Sequence, residues 1–264
     1  MTSGSLVCVG TGMRLAGHIS ELGKSYIARA DVVYCLMPDT LQEQWLESLN
    51  GNVRSLQPFY AEGKSRATTY DEMVETVVAA ARDGQRVCLA MYGHPGVFAV
   101  VGHWAIARSR DLGISAEMIP GISAEDCLYA DLGMDPGTTG MQQYEASQFM
   151  FYEHSVNPSA LLVLWQISIA GEHTLTRFET DRERVVLLVD YLQTWYPAAH
   201  EIILYEAVFL PIENPRIERL SLRSLPDARL STKTTLVVPP CTKPILNGPM
   251  LQKMGLSASD FSQS

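Results

Sequence analysis

Leu89-Ala90-Met91-Tyr92-Gly93-His94-Pro95-Gly96-Val97-Phe98 carries the chain from a strand into a helix. Residues 85–91 read as a short buried strand. Over residues 98–110, Val100, Val101, Trp104, Ala105 and Ala107 supply apolar positions of a helix that Gly113 ends. In the turn between, Gly93 and Gly96 permit close backbone approach or a positive φ, and Pro95 fixes one φ. Open α/β sheets bind ligands in loops at the carboxyl ends of their strands. A plain tight turn has no need of Tyr92 and His94, so this loop is a candidate site. The plainer alternative is a turn whose tyrosine and histidine are merely packed.

Outward from this stretch the same alternation recurs. Residues 6–9 form a buried strand followed by Gly10-Thr11-Gly12, a helix is expected over 15–30, a second strand over 32–36, and a short helix over 41–49. A further strand at 115–119 leads into a helix with Ser123 as N-cap, Asp126 three places on and Gly133 at its end. Repeated strand–helix units indicate a parallel sheet covered by helices. A dinucleotide fold is a poor match, because Gly17 comes two places late for Gly-x-Gly-x-x-Gly and Asp39 is late for a ribose-binding acid. Asp135-Pro136-Gly137 breaks the chain, and the boundary is placed there: an N-terminal domain over 1–137, a C-terminal domain over 138–240 and a tail over 241–264. In the second half, strands at 161–166, 201–206, 217–222 and 234–238 with one long helix at 184–195 suggest a mixed sheet. Polar residues end its strands at Gln166, Glu206 and Thr234-Thr235, positions suited either to lining a cleft or to a sheet edge.

Residues 56–66 are irregular and rich in aromatic and polar groups. The helix after them is expected near Thr69, which with Glu72 matches a capping box. Met73, Val74, Val77, Val78 and Ala81 form its apolar face, and Tyr70 points to the same side. Tyr60, Arg66 and Tyr70 are thus candidates for one pocket wall, against the alternative of a surface loop with ordinary aromatics.

Composition limits the function. A chain of 264 residues, 47% hydrophobic and 19% charged, can bury a sizeable core. A net charge of −9 without a basic block disfavours nucleic acid and anionic membranes as partners. No signal peptide and no apolar run of membrane-spanning length is evident. The five cysteines form no Cys-x-x-Cys pair, which fits reduced thiols in the cytoplasm, and the dispersed histidines show no metal-ligand spacing.

Val9-Gly10-Thr11-Gly12, Tyr92-Gly93-His94-Pro95-Gly96-Val97-Phe98 and Pro120-Gly121-Ile122-Ser123-Ala124-Glu125 occur in the order found in tetrapyrrole (corrin and porphyrin) methylases. Tyr60-x5-Arg66-x3-Tyr70, Tyr144-Glu145-Ala146-Ser147-Gln148-Phe149, Trp165-Gln166 and Thr234-Thr235-x3-Pro239-Pro240 narrow the resemblance to the borosin peptide backbone α-N-methyltransferases. Tetrapyrrole methylases proper usually carry Gly-Asp-Pro where this chain has Gly93-His94-Pro95, a departure that argues against a porphyrin substrate. The tail after Pro240 holds no repetitive apolar peptide, so the chain resembles the split bacterial enzymes, which modify a separate precursor.

The resemblance implies a two-domain fold with a mainly parallel first sheet and a mixed second one. It also implies S-adenosylmethionine as cofactor, S-adenosylhomocysteine as product, and a cytoplasmic homodimer that forms a 2:2 complex with its precursor. Tyr60, Arg66, Tyr70 and Tyr92 align with catalytic positions. Tyr92, His94, Val97, Ser123, Ala124, Gln166, Ala207, Thr234 and Thr235 align with cofactor contacts. Another tyrosine of some relatives corresponds to Gln57 here, and its role is not carried over. No metal is required. The chemistry suits the acceptor: a free phenol, with a pKa of about 10, is a weak base at neutral pH. A nearby guanidinium favours phenolate and can hold developing negative charge. A methyltransferase for a tetrapyrrole or other small molecule, and a non-catalytic cofactor-binding scaffold, remain as alternatives.

Overall fold

The structure, a computed structural model, describes residues 4–61, 63–174, 176–177 and 179–261. Glu62 of the irregular stretch and the last three residues of the tail lie outside the described residues. The chain builds two five-stranded sheets. The first comprises β1 (Ser5–Gly10), β2 (Val32–Leu36), β3 (Val53–Ser55), β4 (Arg86–Met91) and β5 (Ser115–Ile119), in the order β3-β2-β4-β1-β5 with every pairing parallel. Parallel neighbours need crossovers. These hold α1 (Glu21–Arg29), α2 (Thr40–Leu49), α3 (Arg66–Arg82) and α4 (Val100–Asp111).

The strands alternate strictly between two cores. Leu6, Cys8, Val32, Tyr34, Leu36, Val87 and Leu89 face α3 and α4, while Val7, Val9, Val33, Cys35, Cys88 and Ala90 meet Ile27 of α1 and Leu46 of α2. Both faces are apolar because both are covered, as a parallel sheet requires.

The second sheet contains β6 (Met141–Glu145), β7 (Leu161–Trp165), β8 (Glu201–Glu206), β9 (Arg216–Ser221) and β10 (Thr235–Val238), in the order β6-β7-β10-β8-β9. Only β6 and β7 run parallel; the other pairs are antiparallel. Preceding or accompanying it are α5 (Ala124–Leu132), the single turn α6 (Pro136–Thr139), α7 (Ala146–Phe151) and α8 (Arg182–Leu192). Leu162, Leu164, Ile202, Leu204, Leu236 and Val238 pack on Phe149 of α7 and on Val185, Leu188, Val189 and Leu192 of α8. The opposite face, with Leu161, Val163, Trp165, Ile203 and Val237, is covered by Leu128 of α5. The helix that precedes Asp135-Pro136-Gly137 in the chain therefore packs on the sheet that follows it. Beyond this sheet, α9 (Gly248–Lys253) lies exposed.

The parallel first sheet and the mixed second sheet are as expected, but several elements differ in extent. α1 begins at Glu21, where the Ser20 side chain accepts the Gly23 N–H at 3.0 Å, and not at residue 15. Ala16, with φ +57°, lies in the part that does not continue the helix. α3 begins at Arg66 with Ser65 as its cap, so Thr69 and Glu72 form no N-terminal capping box. The Thr69 hydroxyl instead donates to the Ser65 carbonyl at 3.1 Å, inside the helix. α4 begins at Val100, because Phe98 takes φ +49° and cannot be helical. α8 spans Arg182–Leu192, two residues earlier at its start and three at its end than expected. β3, β6 and α7 were not anticipated. The Ser123–Asp126 capping box and the left-handed Gly133 cap are both present.

At the carboxyl ends of β1, β4 and β5, three glycine backbones touch. A methyl built on Gly10 would lie 2.6 Å from the Gly121 nitrogen and 2.7 Å from the Gly93 carbonyl oxygen. Backbone atoms cannot move aside as a flexible side chain can, so overpacking here costs about 1–3 kcal/mol. Gly10→Ala is accordingly expected to lower the unfolding free energy by about that amount. An unchanged urea midpoint would show that the strand ends separate freely.

Candidate active site

The loop after β4 is fastened from three sides. Tyr92 N–H donates to the Leu36 carbonyl at 3.2 Å and so extends the β2 ladder. Gly93, at φ +64°, exchanges hydrogen bonds of 2.9 and 3.1 Å with Gly12, tying this loop to the one after β1. Within the turn, His94 Nδ1 accepts the Gly96 N–H at 3.0 Å, which assigns the neutral ring's hydrogen to Nε2. His103 Nε2 lies 2.9 Å from the Gly96 carbonyl oxygen and must donate, since a carbonyl can only accept. Gly96 is closely packed: an added methyl would meet Met118 Sδ at 2.8 Å, and that side chain would have to shift.

Two non-glycine residues take left-handed backbone conformations beside this loop. Phe98 has φ +49° and Gln166, immediately after β7, has φ +59°. Such conformations cost of order 1–3 kcal/mol each and cluster at ligand sites. The Phe98 ring, 46% exposed, packs at 5.5 Å on Trp165, whose indole N–H donates to Gln143 Oε1 at 2.7 Å. The first sheet's loop thus meets the second sheet's strand end through aromatic rings. A second meeting point is Phe209, after β8. Its carbonyl accepts the Leu15 N–H at 2.8 Å, its ring lies edge-on to Tyr92 at 5.9 Å, and Lys233 Nζ sits 4.5 Å above that ring.

Tyr60 and Tyr70 form an edge-to-face pair with ring centroids 6.3 Å apart. The loop bearing Tyr60 is held by Gln57 Nε2, which donates to the Met37 carbonyl at 2.7 Å, and by Lys64, which reaches both the Phe59 carbonyl at 3.1 Å and Glu72. Burial pushes the Tyr60 phenol well above its ordinary pKa. The neighbouring Tyr70 hydroxyl and Tyr92 add to this, and Arg66 opposes it without prevailing. The Tyr92 phenol is raised too, first by desolvation and then by Tyr70. The residue as a whole is nonetheless 46% exposed. These causes place Tyr60, Arg66, Tyr70 and Tyr92 within electrostatic reach of one another. The expected guanidinium pull toward phenolate exists at Tyr60, but burial outweighs it.

The residues aligned with cofactor contacts are less uniform. His94, Val97 and Gln166 lie in the two loops just described, and Ala124 and Ala207 flank the apolar cluster that contains Trp165. Ser123 and Thr234 are committed locally. The Ser123 hydroxyl donates to Asp126 Oδ2 at 2.7 Å and accepts the Asp126 N–H at 3.2 Å. Thr234 Oγ1 donates to Glu206 Oε1 at 2.5 Å and accepts the Ser231 N–H at 2.8 Å. Thr235 is buried and pairs with Tyr205 across β8.

Two residues of this region escaped the reading of the sequence. Phe209 had a signal in Ala207-Val208-Phe209-Leu210, an apolar run just after a strand end, where a loop is ordinarily polar. Glu172 had none, because a lone acid in a loop reads as solvated; it is buried, with Oε2 3.9 Å from Arg66 Nη2. Among the described residues no group of three His, Cys, Asp or Glu is placed to hold a metal ion, and no helix is long and apolar enough to cross a membrane.

The family model for Tetrapyrrole (Corrin/Porphyrin) Methylases matches residues 5–224. The chain belongs to that family. Its fold agrees with uroporphyrin-III-C-methyltransferase from Thermus thermophilus at a TM-score of 0.64 and 21% identity, covering 90% of this chain and 93% of that one. Among curated relatives, a methyltransferase/ribosomally synthesized cyclic peptide gymnopeptides precursor from Gymnopus fusipes is 36% identical over 262 residues, which is 98% of this chain and 62% of that protein. A methyltransferase/ribosomally synthesized type I borosin cyclic peptide precursor from Coprinopsis marcescibilis is 36% identical over 267 residues, 97% of this chain and 68% of the relative. The chain thus spans about three-fifths of the length of the Gymnopus protein.

The closing strand of this site also carries an acid-sensitive element. Burial raises the Glu206 pKa, but hydrogen bonds from Thr234 and Ser231 and the Arg216 guanidinium outweigh it, and the net value lies below the ordinary 4.5. A depressed carboxylate contributes stability above its unfolded pKa and loses it as pH falls through the folded one. The stability advantage of the wild type over Glu206→Gln is therefore expected to be constant above pH 4.5 and to shrink below it. Denaturation curves across that range test this, and an advantage independent of pH would contradict it.

Proposed function

We propose that the protein transfers a methyl group from S-adenosylmethionine to backbone amide nitrogens of a peptide. The observation that carries this reading is the convergence of Tyr60, Tyr70, Tyr92 and Arg66 at one end of the first sheet, beside an aromatic seam with the second. The cofactor fits the loops that face this seam. Gly93 and Gly96 bring backbone close, Phe98 and Gln166 hold strained conformations, and Phe98 with Trp165 offers an apolar surface. His94, Val97, Gln166, Ala124 and Ala207 would hold it, with Ser123, Thr234 and Thr235 shaping the strand and helix ends around them. When bound, S-adenosylmethionine supplies a methyl group made electrophilic by its sulfonium.

The residues of the chain attend to the acceptor. A peptide nitrogen shares its lone pair with the carbonyl, which keeps the bond planar and the nitrogen a poor nucleophile. Its proton has to leave, and the charge that develops on the carbonyl oxygen has to be held. Arg66, a permanent cation 12% exposed in its side chain, is suited to donate to that oxygen. One of the three tyrosines, having first lost its own proton to solvent, takes this proton as phenolate. Burial raises the pKa of Tyr60 and Tyr92, which suits them to act in their neutral forms as donors and positioning groups; Tyr70, one turn along α3 from Arg66, is the base we propose.

The names of the curated relatives, which couple methyltransferase with cyclic-peptide precursor, support a peptide acceptor. Phenols and a guanidinium paired with Glu172 also suit an amide better than the several carboxylates of a tetrapyrrole. We include in the proposal a separate precursor as substrate. Two units, 1–137 and 138–240, meeting at the cleft and followed by a tail at 241–264, would act as a cytoplasmic homodimer and grip the precursor in a 2:2 complex.

The test is incubation with S-adenosylmethionine and candidate precursor peptides, read by fragmentation mass spectrometry. Methyl groups on backbone nitrogens are expected. Methyls confined to side chains, or to a tetrapyrrole offered in parallel, would overturn the reading. Arg66→Ala and Tyr70→Phe are each expected to slow transfer by about 100-fold or more while calorimetric cofactor affinity stays within a few-fold, since both act on the transition state. Wild-type turnover by Tyr70→Phe would move the base to Tyr60 or Tyr92.

A further inference from the structure

Arg66 is the first helical residue of α3, and the first turn of α3 contains no acidic residue. A cation there is opposed by the positive end of the helix dipole. Its side chain is also only 12% exposed, so hydration does little to compensate. Something outside the helix has to keep the guanidinium in place.

Glu172 meets that need from the loop after β7. Its side chain is 1% exposed, and a buried carboxylate is tolerated only when it is paired and hydrogen-bonded. Thr174 grips Oε1 through its N–H at 2.8 Å and its hydroxyl at 2.7 Å. Oε2 lies 3.5 Å from the Arg177 backbone nitrogen and 3.9 Å from Arg66 Nη2. The carboxylate is thus fixed by its own loop. The arginine, with the longer and more flexible side chain, is the partner that becomes placed. A separation of 3.9 Å is attraction between charges, not the two-pronged fork of a bidentate pair.

We propose that Glu172 is a positioning residue that holds the Arg66 guanidinium at the tyrosine cluster from across the cleft. It acts through Arg66 and not on the substrate, and its effect on turnover rests on the reading of Arg66 given above. The pairing joins α3 of the first sheet's unit to a loop of the second. The cation that would hold developing charge is therefore tied to both units.

Two measurements on the full chain test this. In the first, hydrogen exchange of the Arg66 Nε–H is followed by nitrogen-15 NMR, with the resonance assigned by its loss in Arg66→Lys. Exchange is expected to be at least about tenfold faster in Glu172→Gln than in wild type. This needs neither cofactor nor peptide, and unchanged exchange would overturn the proposal. In the second, Glu172→Gln is expected to lower kcat for peptide methylation by at least about tenfold with KM within about threefold, and Arg66→Ala/Glu172→Gln to be no slower than Arg66→Ala. Additive losses would also overturn it. Should Glu172→Gln not fold, Glu172→Asp carries both measurements. A gap already 3.9 Å long does not tolerate a shorter arm, so wild-type exchange and kcat in that variant would be equally fatal. If exchange responds but no peptide is methylated even by wild type, the positioning stands and the functional reading falls.

Discussion

Contact between three glycine backbones at one end of the first sheet governs the geometry of everything around the cleft. Gly10, Gly93 and Gly121 close on one another where β1, β4 and β5 end, at distances no side chain would permit. Because the backbones meet there, the loop after β4 cannot continue straight and turns at Gly93. The mutual hydrogen bonds between Gly93 and Gly12 then lock two loops into one rim. Tyr92 and His94 project from a fixed edge for this reason and not from a mobile loop. Gly121 likewise sets where α5 starts, and with it the helix that covers the second sheet.

Much of this architecture was legible from local chemistry. Alternating apolar residues such as Leu6-Val7-Cys8-Val9 announce a strand with two buried faces, and Ser123 with Asp126 and Gly133 brackets α5 correctly. Errors arose where two local signals competed. Thr69 and Glu72 have the spacing of a cap, but Ser65 stands one turn earlier and the helix begins with the first competent cap it meets. Residues 15–19 have helical composition, yet Ser20 caps the helix after them. The short strand β6 was hidden because its residues Met141-Gln142-Gln143-Tyr144-Glu145 sit at a sheet edge, half-buried throughout, and lack the alternation of a two-faced strand.

The candidate site was legible in its residue types and not in its constraints. Tyr60, Arg66, Tyr70 and Tyr92 stand out by spacing, but nothing local reveals the left-handed Phe98 or Gln166, neither of which is a glycine or an asparagine. Those conformations are imposed by tertiary packing, through the Phe98–Trp165 contact among others. Glu172 is the extreme case: its burial depends on α3, more than 90 residues earlier in the chain, and a local window contains no trace of it. What joins the two units is a set of contacts that are each distant in sequence: Phe98 with Trp165, Tyr92 with Phe209, Arg66 with Glu172.

Phe209 touches Tyr92 with its ring and Leu15 with its carbonyl, and this ties the maturation of the pocket to the timing of translation. Loops whose ends lie far apart along the chain close late, because their closure entropy has to be offset by contacts made at once. A ribosome adding about 5–20 residues per second takes on the order of 10 s to travel from Tyr92 to Phe209. During that interval the first sheet can be complete while the loop after β4 has no opposite wall. A nascent chain in which only the first sheet has formed therefore lacks the partners that Phe209 and Trp165 give to Tyr92 and Phe98.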